Sequence, residues 1–161
     1  MANLWLDEDL LDRVAAADVI PVPTAAFLHS DPGSGVYAYR SLLDRGMRPP
    51  GNSDTGGTQP FATNPWFGIA CMVDRTNQDD VLVAPEQAVT ALDGVRSYTT
   101  FAAEAGARAG RIGILRQGAF GDCAIYADDP LTTPPAQLRS LEADLTLVAG
   151  DVVWQRDGAR T

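Results

Sequence analysis

The order of its apolar patterns is what most restricts how this chain can fold. As far as about Gly110, short apolar runs alternate with helical patterns; beyond it, strand-like runs separated by glycines prevail. Strand–helix alternation followed by antiparallel strands predicts an α/β layer and a small β appendage. At most three strand–helix units are present, and an eight-stranded barrel of such units takes about 250 residues. The α/β portion therefore reads as incomplete. The predicted division is 1–109 for the α/β part, 110–156 for the β segment and 157–161 for a frayed tail.

The elements follow from local chemistry. "LDEDLLDRVAAAD" predicts a helix capped by Asp7, with Glu8 and Asp9 at its positive end and Leu10, Leu11, Val14 and Ala17 facing inward. "VIPVP", Val19 to Pro23, suits a buried strand despite its prolines, and "HSDPGSG" is a loop. "VYAYRSLLDRG" gives a helix with Tyr39, Leu42 and Leu43 inward and Gly46 as its stop. "MRPPGNSD" returns as a strand that delivers Asp54, and "TGGTQPFAT" is a flexible loop.

"NPWFGIACMVDR" is a helix capped by Asn64 with Pro65 in its first turn. A further helix enters through Pro85, with Val89 and Leu92 inside, and "TTFAAEAG" ends a short one at Gly106. Ile112–Arg116 and Cys123–Ala127 read as strands, and "PPAQLRSL" as a turn or short helix. "ADLTLVAGDVVWQ" is a hairpin turning at Gly150-Asp151.

A formal charge of −9 argues against nucleic acid or an anionic membrane surface as partner. No targeting segment and no apolar run of about 18–20 residues is read. The two cysteines, Cys71 and Cys123, form no CxxC pair, which favours reduced core thiols in a cytoplasmic protein over a zinc site.

Five stretches, in order from about Leu10 to Trp154, resemble the C-terminal part of the amidohydrolase superfamily, family 3, the YtcJ-like metal-dependent hydrolases. "LLDRVAAADVIPVPTAAFL" is similar to R-x-A-x-L-G-V-x-x-x-x-Q-P-x-F, with Thr24 and Ala25 where the family often has Gln-Pro. "YRSLLDRGMRPPGNSD" is similar to R-x-L-x-x-A-G-V-x-V-x-x-G-S-D, and "NPWFGIACMVDRTN" to P-x-x-x-I-x-x-A-V-x-R. "APEQAVTALDGVRSYTTFAAEAGARAGRIGILRQGAFGDCAIYADDPL" carries the most specific block, which ends in Asp-Pro. "LTLVAGDVVW" resembles V-x-x-T-x-x-x-G-x-x-V.

The resemblance implies the last βα units of a TIM-type (β/α)8 barrel followed by a small antiparallel β-sandwich segment. It implies hydrolysis of amide or other non-peptide C–N bonds by a metal-activated water, with a divalent metal, zinc by expectation, in the full-length parent. Asp54 falls at the family position that binds metal and takes a proton from the attacking water. It would bind metal only together with ligands from earlier strands.

Those ligands have no counterpart here. The chain has one histidine, no H-x-H pair and no lysine, and Asp54 with His29 supplies at most two donors where a catalytic zinc usually keeps three. No stable metal site is therefore expected in this chain alone. His29 reads as a loop histidine rather than one of a metal pair with Asp31. Asp122 reads as a strand-entry residue and Asp128-Asp129-Pro130 as a turn. Trp66, Phe67, Ile69 and Met72 read as core and loop-packing residues, with Trp66 on the pocket wall of a full barrel as the less favoured alternative. Gly33–Gly35 is too short for a phosphate cradle.

Two functional classes follow. The first is the C-terminal fragment of a metal-dependent amidohydrolase acting on a small-molecule amide-type substrate, inactive when isolated. The second is a non-catalytic complementing subunit or remnant that associates with a separate N-terminal barrel chain or with itself. A self-contained small binding domain is a third, less favoured class.

Overall fold

The first helix, α1 (Glu8–Ala16), begins where its cap requires: the Leu10 amide donates to Asp7 Oδ1 at 2.8 Å, with Glu8 and Asp9 in the first turn. A computed structural model describes residues 7–54 and 61–158. The predicted loop at 55–60 and the tail at 159–161 lie outside the described residues. The inner face of α1 is narrower than its pattern suggests. Leu11 alone is buried, against Leu42 and Met47, while Leu10 and Val14 are half-buried and Ala17 is exposed. Arg45 pairs with Asp12 at 2.7 Å and with Glu8, tying α1 to α2 (Tyr39–Asp44). Tyr39 and Leu42 of α2 are buried as expected, and Gly46 stops the helix at φ +73°.

Neither strand expected in the first half forms a ladder. Residues 19–24 and 47–54 form no strand, and Val19 and Ile20 are each 52% exposed. Pro21, Pro23, Pro49 and Pro50 remove the amide donors a ladder needs. A side-chain amide replaces the ladder: Asn52 Nδ2 donates to the Pro23 carbonyl at 2.8 Å, and Thr24 Oγ1 donates to Asn52 Oδ1 at 2.9 Å. Tyr39 Oη donates to the same Pro23 carbonyl at 2.6 Å. Between the two segments, a short 3₁₀ turn (Ala25–Ser30) leads into the expected loop.

The centre of the molecule is α3 (Pro65–Asp74). Asn64 caps it by accepting from the Trp66 amide at 3.0 Å, and Trp66 through Met72 are all buried. A helix apolar on every side must be enclosed, and α3 packs on the Ala25–Ser30 turn, on α4 (Ala91–Arg96) and on α6 (Pro135–Leu138). The helix ends at Arg75, whose φ is +58° and whose side chain is buried. Its guanidinium donates to the carbonyls of Val83, Tyr37 and Val36 at 2.9, 3.2 and 2.6 Å. Burial pushes that guanidinium down to about 10.

A 3₁₀ turn (Pro85–Gln87) and a Thr90/Asp93 capping box precede α4, a π turn at Ser97–Phe101 continues it, and α5 (Ala102–Ala105) ends at Gly106 as expected. Val89 is buried, but Leu92 is 43% exposed and lies outside the core.

The predicted strand at Ile112–Arg116 is instead a series of turns, with Gly113 at φ +73° and Leu115 82% exposed. No described strand pairs with it. The other expected strands form in outline. The strands β1 (Cys123–Ile125), β2 (Leu145–Val148) and β3 (Asp151–Gln155) form one antiparallel sheet in that order, with an irregularity at Thr146/Leu147. The hairpin turns one residue earlier than expected. Ala149 and Gly150 both take positive φ, 53° and 90°, as a two-residue hairpin loop of the I′ kind requires, so Asp151 opens β3 opposite Val148. Among the described residues, no helix is long and apolar enough to cross a membrane.

Candidate functional site

Asn52, Ser53 and Asp54 leave the core side by side. Gly51 donates its amide to the Ser97 carbonyl at 2.9 Å, Asn52 is held as described, and Tyr98 Oη donates to the Asn52 carbonyl at 3.2 Å. These contacts hold the approach to Asp54 against the junction of α4 and the π turn. Asp54 itself is exposed, at φ +43°. Positive φ is uncommon outside glycine, although aspartate and asparagine tolerate it better than most residues.

Beside this segment lies a concavity of about 780 Å³, bordered by Gly51–Ser53, Trp66, Ile69, Tyr98, Ile114 and Tyr126. Its lining is mostly apolar. Trp66, expected in the core, is 8% exposed and sits edge-on to Tyr126 with ring centres 5.5 Å apart. Its Nε1 is buried and has no hydrogen-bond partner among the described residues. Burial pushes the Tyr98 phenol upward, so it serves as a neutral donor.

The described residues do not fit a catalytic metal. Among them, no three His, Cys, Asp or Glu side chains come together in a group that could hold an ion. The two donors nearest in kind to Asp54 are engaged elsewhere. Asp31 Oδ1 accepts the amides of Gly33, Ser34 and Gly35 at 2.8, 2.7 and 3.0 Å, and Oδ2 accepts Tyr37 Oη at 2.9 Å. Although burial opposes it, this set of bonds holds the Asp31 carboxyl below its ordinary value. The same bonds consume the amides that a Gly33–Gly35 phosphate cradle would need.

His29 Nδ1 lies 3.4 Å from Arg139 Nη1, and the ring is edge-on to Phe67 at 5.1 Å. Burial first, then the Arg139 charge, pushes the imidazole below its ordinary 6.5. Cys71 and Cys123 are both free, the first buried with its thiol pushed up to about 11 by burial. Asp122 Oδ1 accepts the Ala149 amide at 2.8 Å at the hairpin, in keeping with a strand-entry role. Asp129 Oδ1 accepts the Leu131 amide at 2.9 Å within a turn.

Sequence reasoning missed two arginines. Arg75 had a local signal, since a charged residue closing a wholly apolar helix has to find carbonyls inside the fold. Arg139 had none. Its acceptor Asp74 lies 65 positions away, and both Asp74 oxygens accept from Arg139 Nη2 at 2.9 and 3.0 Å.

A sequence profile described as the amidohydrolase family matches residues 3–154. The chain belongs to the amidohydrolase family.

Among curated relatives, it is 30% identical over 125 residues to an N-substituted formamide deformylase of Arthrobacter pascens, covering 77% of this chain and 22% of that protein. It is 25% identical over 165 residues to the amidohydrolase-class protein YtcJ of Bacillus subtilis (strain 168), covering 94% of this chain and 31% of that protein. The chain thus spans between a fifth and a third of the length of these relatives.

Solved structures share the fold. A prolidase complexed with N-methylphosphonate-L-proline superposes with a TM-score of 0.66 at 18% identity, over 94% of this chain and 38% of that one. The guanine deaminase of E. coli superposes with 0.63 at 18% identity, over 95% and 38%.

Proposed function

We propose that this chain is the C-terminal portion of a metal-dependent amidohydrolase of family 3, cytoplasmic, and that it does not hydrolyse amides alone. In this reading, residues 1–109 are the last units of a (β/α)8 barrel and 110–156 a segment of the accompanying β-sandwich. Asp54 is the carboxylate that accepts a proton during hydrolysis of an amide or other non-peptide C–N bond. The observation that carries the reading is the family match over residues 3–154, which includes the Gly-Asn-Ser-Asp segment; its first three residues border the cavity.

The donor set supports the second half of the proposal. Among the described residues, no group of three His, Cys, Asp or Glu side chains could hold an ion with Asp54, so no metal-dependent step is assigned to this chain by itself. Turnover would belong to an assembly in which another stretch of barrel supplies them.

The N-terminal barrel is accordingly the expected partner, as part of the same enzyme or as a separate chain. The second reading, a non-catalytic subunit that associates with such a chain or with itself, is favoured by β3. Every residue of β3 is exposed, with Val152, Val153 and Trp154 at 55, 59 and 44%, and an exposed apolar edge strand invites pairing.

The test is to assay the purified chain with an N-substituted formamide, the substrate class named for one relative, with and without zinc. The assay is then repeated with a polypeptide supplying the N-terminal barrel. The reading expects no turnover by the chain alone and turnover in the complemented sample that disappears in Asp54→Asn. Zinc-dependent turnover by the chain alone, abolished by Asp54→Asn, would refute it. Tight complex formation without turnover would favour the second reading.

A further inference from the structure

The C-terminal region meets the helical layer at α6, and one side chain makes most of the polar contacts there. Leu138, fully buried, packs on Trp66, Ile69 and Ala70 of α3. Beside it, Arg139 Nη2 donates to both oxygens of Asp74 and to the Thr76 carbonyl at 2.8 Å. Its Nη1 lies 3.5 Å from Cys71 Sγ and 3.4 Å from His29 Nδ1, and the guanidinium stands 5.7 Å from the centre of the Phe67 ring. Three segments distant in sequence, at 29, 67–76 and 139, are clasped around one cation.

The imidazole decides whether that clasp is balanced. Guanidinium nitrogens only donate. The contact at His29 Nδ1 is therefore favourable only when that nitrogen carries a lone pair, with the proton on Nε2. A proton on Nδ1 would place a second cation against the guanidinium and remove an acceptor. We propose that His29 is a pH-sensitive catch on this clasp: its protonation loosens Arg139 and with it the seating of α6 on α3.

The charged and titratable groups around the imidazole are few. Arg139, which closes α6, opposes the proton, whereas Asp74 of α3 and Asp79 of the following turn favour it. Cys71 of α3 is neutral over the relevant range, with its thiol near 11. Asp31, two residues on, is committed to its own loop. Asp74 spends both oxygens on Arg139, which leaves the acids unable to offset the guanidinium at contact range. The direction agrees: burial and Arg139 hold the imidazole below 6.5. The unfolded chain then binds the proton first, so stability from this catch is present above pH 6.5 and is lost as the pH falls below it.

His29 is the chain's single histidine, so its imidazole resonances are unambiguous. The experiment follows them by NMR from pH 8 to 5 on the full chain. In parallel, hydrogen exchange of the amides of α6 and the last turn of α3 is measured, corrected for intrinsic rates. The expected result is a His29 midpoint below 6.5 and a loss of α6 protection along the same titration, about tenfold per pH unit of linkage. In His29→Gln, which keeps an acceptor but does not titrate, α6 protection should stay constant within twofold over that range. Asp74→Asn should weaken α6 at every pH. A midpoint at or above 6.5 in the wild type, unchanged α6 protection across the titration, or an equal acid response in His29→Gln would each overturn the proposal.

Discussion

Gly68 lies in the middle of α3, where alanine would ordinarily stabilise a helix by about 1 kcal/mol over glycine. Here Gly68→Ala should do the reverse. A Cβ at this position would overlap the Tyr98 hydroxyl oxygen and lie 3.1 Å from Cζ. Tyr98 has no easy retreat, because a Cβ at Gly51 would also come within 2.5 Å of the same ring. Forcing an extra methyl into a packed core costs about 1–3 kcal/mol. Displacing the phenol also forfeits its bond to the Asn52 carbonyl, worth about 1 kcal/mol. Setting the propensity gain against these costs leaves a net loss of about 1–3 kcal/mol, read as a lower urea midpoint at unchanged slope. The double variant Gly68→Ala, Tyr98→Phe should recover most of the overlap cost, since the hydroxyl is the nearest atom. If Gly68→Ala raises the midpoint, the close approach of α3 to Tyr98 is wrong, and with it the bracing of the segment that ends at Asp54.

Arg75→Met should cost about 3 kcal/mol, measured by denaturation, because three inward carbonyls lose their donor at once. Arg75→Lys should recover little of it, since a point charge does not reproduce the planar fork. Ala149→Asn places a residue tolerant of positive φ in the hairpin and should raise stability by about 0.5–1 kcal/mol in a thermal melt. Of the two thiols, half-buried Cys123 should react with a soluble disulfide reagent in the native state. Cys71, buried and with a thiol near 11, should react only on unfolding.

What the sequence made legible was local. The Asp7 and Asn64 caps, the glycine stop at Gly46, the Asp31 loop and the β2–β3 hairpin all depend on groups within a few residues of one another. The two expected strands around Pro21–Pro23 and Pro49–Pro50 failed because a ladder needs a neighbouring strand and amide donors, and the prolines supply none. Asn52 supplies a substitute that no periodicity announces. Ile112–Arg116 failed for the same want of a partner. For the site, the family pattern pointed to Asp54; in the structure Gly51–Ser53 border a cavity, while Asp54 itself is exposed. Arg139, which reaches Asp74 across 65 positions and His29 across 110, is legible only in three dimensions.

The assignment of Asp54 as one member of a ligand set completed elsewhere is tested most directly by titrating zinc into the purified chain in a calorimeter. A chain with this donor set should show no saturable tight binding, and Asp54→Asn should leave the trace unchanged. Tight one-to-one binding that Asp54→Asn abolishes would contradict the assignment, because it would require this polypeptide alone to build the metal centre.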